Sequence, residues 1–459
     1  MVNEITAKKE EDFNKWYHEI IGASGLVFTS NVQGCIVYSD YCIAIWNLIR
    51  EFLDRNLRNL GFKEYSFPSL ISLSSFEKEK RHFNDFFRET LVVTSAGNKK
   101  LNEKFVLRPT SEAIIYESFA KWVNDAKDLP LLVNQYCSVI RWESLKPNMP
   151  LIRGNEFLWQ ESHSAHSTEQ EADKFVVGIL DIYRQLHQDY LALPFVEGFK
   201  PNHRMFPGAK YTMALESLMP DLKSVQTATS HSLGQNFSSV FNIGFKDASG
   251  KKNHVWQACN GITTRIIGAT IMMHSDNYGM VLPPKIAPFQ CVLFGEFNPI
   301  LNSLKEKNIR FIVDKSDADF EEKLGHWRLM GAPTIVYREK GDYVCERRDK
   351  LQKFFPGKNI VVPEIIKALG SIQDTLLENA EKFKLNHTCG ANSWGEFEQI
   401  SEKKGGFIRA QWCGEVSCAR EIKQKTGNSL RIINPAKNRG KCVNCRKNSR
   451  HSAIFAPAY

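Results

Sequence analysis

Residues 139–166 read VIRWESLKPNMPLIRGNEFLWQESHSAH, two strand-like runs joined by a linker that carries two prolines and cannot be regular structure. Side chains of a strand alternate between faces, so Arg153, Asn155, Phe157, Trp159, Glu161 and His163 project to one side of the second run. If the first run, NQYCSVIRWE, pairs antiparallel with it, Arg141 and Glu143 enter the same space. The face then combines cations, carboxylates and aromatic rings, an ordering that a merely solvated hairpin does not need. Such a surface suits a flat ring carrying negative charge. ATP meets that description: arginine neutralises phosphate oxygens bidentately, and a phenylalanine with an arginine can sandwich adenine.

Working outward, Ile43, Trp46, Ile49, Leu53, Leu57 and Leu60 recur every three or four positions between Asp40 and Leu60, with Gly61 as a stop, which predicts a long amphipathic helix. It leads into KEYSFPSL, where Pro68 marks an edge strand or a strand end. At 108–123, RPTSEAIIYESFAKWV opens another helix with Glu112 in its first turn. Residues 166–193 predict a helix through Phe175, Val176, Ile179, Ile182, Tyr183 and Leu186. The proline-rich VLPPKIAPFQ then marks a boundary, after which strand-like QCVLFG, IRFIV and PTIVY alternate with helix-like segments, the pattern of a small α/β domain. A charged helix over roughly 363–384 leads to a cysteine-rich end.

The 459 residues, 42% hydrophobic, allow two to four packed domains. The charged start, MVNEITAKKEEDF, and the lack of any apolar run near ~18 residues set the expectation of a cytoplasmic protein with no membrane partner. Seven of the eleven cysteines are scattered, as small buried hydrophobes are in reducing compartments. The other four form two close pairs, CGEVSC (Cys413, Cys418) and CVNC (Cys442, Cys445), 23 residues apart, a spacing suited to a tetrahedral four-thiolate zinc site. The net charge is +9, and residues 420–450 hold ten Lys or Arg against the single acid Glu421. That excess points to a polyanion such as nucleic acid, and a solvated basic face accounts for the run equally well.

VIRWE followed by GNEFLWQE resembles the second of three motifs of class II aminoacyl-tRNA synthetases in its prolyl form. RPTSE at 108–112, TSHSLGQNFS at 229–238 and GITTRIIG at 261–268 also resemble prolyl-tRNA synthetase segments, in family order, and the helix before Gly61 resembles the first class motif, a dimer interface in the family. The resemblance is to the archaeal and eukaryote-like type: the 67 residues between His163 and His231 leave no room for an editing insertion. It implies an α/β multidomain protein: a class II catalytic domain with an antiparallel sheet (1–285), an α/β anticodon-binding domain (286–370) and a small C-terminal α+β domain with the four-cysteine site (371–459).

The implied activity is ATP-dependent conversion of L-proline to prolyl-adenylate and transfer to the 3′ end of tRNA(Pro), by a homodimer using Mg²⁺ and a structural Zn²⁺. By the same resemblance Arg141 and Arg265 are catalytic, and Arg141, Glu143, Arg153, Phe157, Gln226, Thr229 and Arg265 bind ATP. Thr110, Glu112, Arg141, Trp159, Glu161, His163, Phe206 and His231 line the proline pocket. The family ends in a tyrosine whose carboxylate approaches the active site, and FAPAY ends in Tyr459. This chain departs from the family at Asn155 (usually arginine), Lys210 (aspartate), Asn260 (tryptophan), Ser39-Asp40 (Arg-Pro) and Arg328 (glutamate). Two other readings are compatible with parts of the sequence. A catalytically altered paralogue fits the departures but not the retention of Arg141, Glu161, His231 and Arg265. A zinc-dependent RNA-binding protein fits the basic end but leaves the 141–163 face unexplained.

Overall fold

The two runs of the opening segment pair antiparallel, from Leu131 opposite Ala165 to Ile140 opposite Glu156, in a computed structural model that describes residues 4–78, 89–142, 149–295, 297–403, 405–435 and 440–459. Glu143 lies outside the described residues. The pair belongs to an eleven-stranded sheet. In chain order its strands are β1 (Lys63–Glu64), β2 (Leu131–Ile140), β3 (Glu156–His166), β4 (Val196–Phe199), β5 (Tyr211–Leu218), β6 (Ser224–Gly234), β7 (Trp256–Thr263), β8 (Thr388–Ala391), β9 (Phe407–Trp412), β10 (Ser429–Pro435) and β11 (His451–Ala456). Across the sheet they run β8-β9-β11-β10-β4-β5-β6-β7-β3-β2-β1. All neighbours are antiparallel except β1 with β2 and β8 with β9, the two outermost pairs. The C-terminal strands thus extend the central sheet edge to edge, joined where Ile433 of β10 meets Phe199 of β4.

Helix α1 (Asp40–Asn59) starts at Ser39, whose Oγ accepts the Cys42 amide N–H, while Asp40 sits in the first turn where a negative charge complements the helix dipole. Those are the two residues that the resemblance sets against an Arg-Pro pair, and here they serve the helix start. The buried stripe of α1 is Cys42, Ile45, Trp46, Ile49, Phe52, Leu53 and Leu57. It is rotated from the expected one: Leu60 is 39% exposed and Ile43 only half-buried, because the helix is covered on the Cys42 and Ile45 side.

Helix α2 (Glu112–Trp122) follows RPTS, and α3 (Glu169–Gln185) lies across the sheet. Ser230 of β6 donates to the Val176 carbonyl at 2.7 Å, and Tyr183 donates to Gln160 of β3 at 2.7 Å. Helix α4 (Arg265–His274) continues directly from β7. After residue 285 a separate five-stranded sheet forms, in the order Phe311–Asp314, Cys291–Phe294, Thr334–Glu339, Asp342–Arg347, Gln352–Phe354, with the first three strands parallel. It is fastened to the rest: Arg348, 1% exposed, grips Asp276 with two hydrogen bonds of 2.6 and 2.7 Å, and Tyr41 of α1 donates to the Met330 carbonyl. Arg328 pairs bidentately with Glu346 inside this unit. Helix α5 (Val361–Asn386) is continuous, so the expected division at 370/371 falls within a helix rather than in a linker.

Candidate active site

Strands β3, β6 and β7 lay their site residues out in cross-strand rows. One row runs Gln135, Glu161, Gly261, Thr229, and the next runs Val133, His163, Cys259, His231, Thr212. Directly opposed residues of an antiparallel pair share a face, so the period-two reading of Phe157, Trp159, Glu161 and His163 leads to one wall of one cavity, about 260 Å³ in volume. Thr110, Glu112, Arg141, Phe206, Gln226, Thr229, His231 and Arg265 also line it, as do Lys200, Arg204 and Asn260 among others. A second cavity of about 380 Å³ holds Arg153 and shares Arg141, Phe157, Thr263 and Arg265 with the first. These four residues therefore stand at the junction of two spaces.

At the inner end is a buried charge cluster. Glu161, 2% exposed, accepts from Ser111 Oγ at 2.5 Å and Gln135 Nε2 at 2.6 Å on one oxygen, and pairs with His163 Nε2 at 2.9 Å on the other. His163 Nδ1 is 3.1 Å from the Tyr116 hydroxyl. Burial pushes Glu161 up, but the His163 bond and charge and the Ser111 and Gln135 donors outweigh it and hold the carboxyl below its ordinary value. Burial acts downward on His163, yet Glu161 and Glu112 raise it, so His163 and Glu161 form an ion pair. Glu112 is different. It accepts from Thr110 Oγ1, but burial raises it above the ordinary range, with the neighbouring Glu161 adding to the rise and His163 opposing it. His231 is pushed down to about 3 by burial and by His163, and its ring spans Thr212 at 2.8 Å and Thr229 at 3.0 Å as a neutral imidazole. Two carboxylates against one imidazolium leave the inner end one negative charge in excess when Glu112 is ionised, a place for a small ammonium.

The outer end is cationic and aromatic. Arg141 donates Nε to the Pro109 carbonyl at 2.9 Å, with its guanidinium 5.5 Å from the Phe157 ring and 5.8 Å from the Trp159 ring. Arg265, the first residue of α4, donates to the Ile152 and Gln226 carbonyls at 2.9 and 3.3 Å. Trp159 is itself oriented by a bond from Nε1 to Cys137 Sγ at 3.0 Å.

Asn155 does not share the face of Phe157 to His163. It precedes β3, is 3% exposed, and binds the turn at residues 33–34 through its backbone N–H to Gly34 and its Nδ2 to Gln33. The adjacent Gly154 is required there, since a Cβ would lie 2.8 Å from the Gly34 carbonyl oxygen. Asn260 is buried between strands, accepting from Ser230 Oγ and donating to Ser162 Oγ. Lys210 stands on the surface, ion-paired with Glu169. Sequence reasoning passed over Ser111, Gln135, Tyr116 and Thr212, which hold the acidic and imidazole groups in place. For Gln135 a signal existed: it lies an even number of residues from Arg141, hence on the same strand face.

The four C-terminal cysteines converge, with ligand atoms all within 4.8 Å of one another and Cys418 Sγ 3.5 Å from Cys442 Sγ. Burial opposes ionisation of Cys442, but the N–H groups of Cys445, Asn444 and Cys413 overcome it and lower that thiol, while burial holds Cys413 up at about 11. Free thiols gathered around one point with amide N–H groups turned towards them fit a thiolate-bound metal.

Residues 94–274 match the family model described as the tRNA synthetase class II core domain (G, H, P, S and T). The cavity residues from Thr110 to Arg265 all lie inside that match, and they define a class II aminoacyl-tRNA synthetase core. Residues 394–459 match a second family, prolyl-tRNA synthetase, C-terminal. The chain is 35% identical to a proline–tRNA ligase of Natranaerobius thermophilus over 100% of its length and 98% of the relative's. It is 36% identical to one from Clostridium novyi (99% and 98% covered) and 37% identical to proline–tRNA ligase 2 of Bacillus thuringiensis subsp. konkukian (98% of each). The chain belongs to the proline–tRNA ligase family.

Proposed function

We propose that the chain activates L-proline with ATP to prolyl-adenylate and transfers the prolyl group to the 3′ end of tRNA(Pro). The observation that carries this reading is the junction geometry: an acidic buried end in the same cavity as an arginine whose guanidinium lies over the Phe157 and Trp159 rings. In the first step the proline carboxylate attacks the α-phosphorus in line, and the bond to pyrophosphate breaks. In the second, the terminal tRNA hydroxyl attacks the adenylate carbonyl and AMP leaves. Neither step needs a protein nucleophile, so positioning and charge stabilisation do the catalysis. Glu112, with Glu161 held by His163, takes the secondary ammonium, and Trp159, Phe206, Thr110 and His231 wall the ring. Arg141 spans the carboxylate and α-phosphate, while Arg153, Phe157, Gln226, Thr229 and Arg265 hold the rest of ATP. Divalent metal accompanies ATP in this class, and Mg²⁺ is its expected form here.

Three further points belong with this reading. Cys413, Cys418, Cys442 and Cys445 hold a structural Zn²⁺. Residues 1–285 form the catalytic domain, 286–370 the anticodon-binding domain and 371–459 the C-terminal domain, with α5 shared between the last two. The chain acts as a cytoplasmic homodimer, supported by free cysteines throughout, by the exposed apolar Phe28, Val32 and Val37 near α1, and by the lack among the described residues of any helix long and apolar enough to cross a membrane.

Pyrophosphate exchange with each amino acid in turn tests the activity. Exchange with proline is the expected result; none with any amino acid favours an altered paralogue or a plain RNA-binding protein.

A further inference from the structure

The second cavity has walls of two origins. One is the hairpin of β2 and β3 with its neighbour α4, which bring Arg141, Arg153, Phe157 and Arg265 to it. The other is a separate short hairpin, Val27–Thr29 paired with Ile36–Tyr38, whose turn lays Ser30, Val32, Gln33, Gly34 and Cys35 along the cavity. Strands of three residues make a hairpin that is marginal by itself in water, and Thr29, Val32 and Gln33 are exposed. The turn is stiffened from within: the Ser30 hydroxyl donates to the Cys35 carbonyl at 2.9 Å and accepts the Val32 N–H at 3.1 Å. Where this stiff turn sits has to be fixed from outside.

Asn155 makes the connection. Its Nδ2 donates to the Gln33 carbonyl at 2.9 Å and its backbone N–H to the Gly34 carbonyl at 2.7 Å, while its own carbonyl accepts the Arg141 N–H at 2.7 Å. A single buried residue thus ties the turn to the backbone that carries both Arg141 and Phe157. The approach is backbone against backbone: a Cβ on Gly154 would lie 2.8 Å from the Gly34 oxygen, and Gly34 itself has φ +74°. Asn155 lines neither cavity, so it stands behind the wall rather than against the nucleotide. We infer that Asn155 is a positioning residue for ATP: it sets the distance between the 30–35 turn and Phe157, and with it the width of the nucleotide space. The inference rests on the activity proposed above and adds to it a wall from outside the β2–β3 hairpin.

Asn155→Ala removes the Nδ2 bond and leaves both backbone bonds, including the one to Arg141. In proline-dependent pyrophosphate exchange with the full chain, it should raise the KM for ATP about three- to tenfold, the range that one ordinary hydrogen bond spans. The KM for proline and kcat should stay within about twofold, because a displaced wall weakens binding in ground and transition state alike. Gly154→Ala approaches the same contact from the other side: it keeps Asn155 but drives a methyl group at the Gly34 carbonyl, and should raise the KM for ATP in the same direction. Either variant decides if the other does not fold. A fall in kcat with a rise in both KM values would mean that Asn155 supports the site as a whole, and an unchanged KM for ATP would mean that the turn is no wall of the nucleotide space. Both results overturn the inference. Equilibrium dialysis of ATP separates it from the activity. A parent that binds ATP more tightly than Asn155→Ala yet exchanges with no amino acid loses the activity and keeps the inference. A parent that exchanges with proline, with an Asn155→Ala variant that binds ATP equally well, loses the inference and keeps the activity.

Discussion

At the scale of single residues, the site works by giving like groups unlike environments. Arg141 is expected to be the most costly side chain to lose: Arg141→Ala should slow adenylate formation at least ~100-fold, as removal of a preorganised electrostatic stabiliser does, and near-normal exchange in that variant would defeat its assignment. The two carboxylates should separate by pH. Glu161 is held ionised by His163, whereas Glu112 is raised by burial and by its acidic neighbour, so Glu112 protonates first on acidification. Proline's kcat/KM should therefore fall on acidification, and the fall should begin at a higher pH than an ordinary carboxylate would give. Glu112→Gln should lower it throughout and flatten that limb, while a limb unchanged in Glu112→Gln would point to another group. The departures from the family divide at this scale too. Ser39 and Asp40 cap a helix, Arg328 has Glu346, Lys210 has Glu169 and Asn260 has two serines, so each has found a local partner.

At the scale of elements, the hairpin of β2 and β3 and the helix α1 could be read from sequence because period two and period 3.6 are written in residue types. The placement of Glu161 and His163 on one face followed from the same periodicity. What was not legible is the seam between β4 and β10, which joins residues 198–199 to 433 through backbone groups that every sequence has. The buried Lys200–Glu216–Arg431 cluster sits at that seam, and its members are isolated charges in the sequence until strand pairing brings them together. Removing the anion from such a cluster strands two buried cations, so Glu216→Gln should destabilise the chain by about 3 kcal/mol or more in urea unfolding. The pH dependence has a defined sign. Burial works against ionisation of Glu216, but Arg431 and Lys200 hold it down at about 2 against an ordinary 4.5. Its contribution is then full above pH 4.5 and lost as pH falls towards 2. A Glu216→Gln variant as stable as the parent at neutral pH would show that the cluster adds nothing at the seam.

At the scale of the whole molecule, the continuous sheet makes the C-terminal segment part of the catalytic architecture. Strands β8 to β11 carry the thiol cluster at one end of their layer and deliver Arg431 and Tyr459 to the edge of the active site at the other. A Zn²⁺ bound by Cys413, Cys418, Cys442 and Cys445 would clamp the loops after β9 and before β11, and with them the strand that ends beside the adenylate space. Metal analysis should find one zinc per chain, and Cys442→Ser, or a strong chelator, should remove it and lower the melting temperature. Because the proline and ATP contacts lie on β3, β6, β7, α4 and the segments that carry Thr110, Glu112, Arg141, Arg153 and Phe206, all outside the cysteine-bearing segment, exchange should survive that loss better than transfer to tRNA. A metal-free chain that loses exchange and transfer in equal proportion would mean that the zinc supports the fold of the core rather than the approach of the acceptor strand.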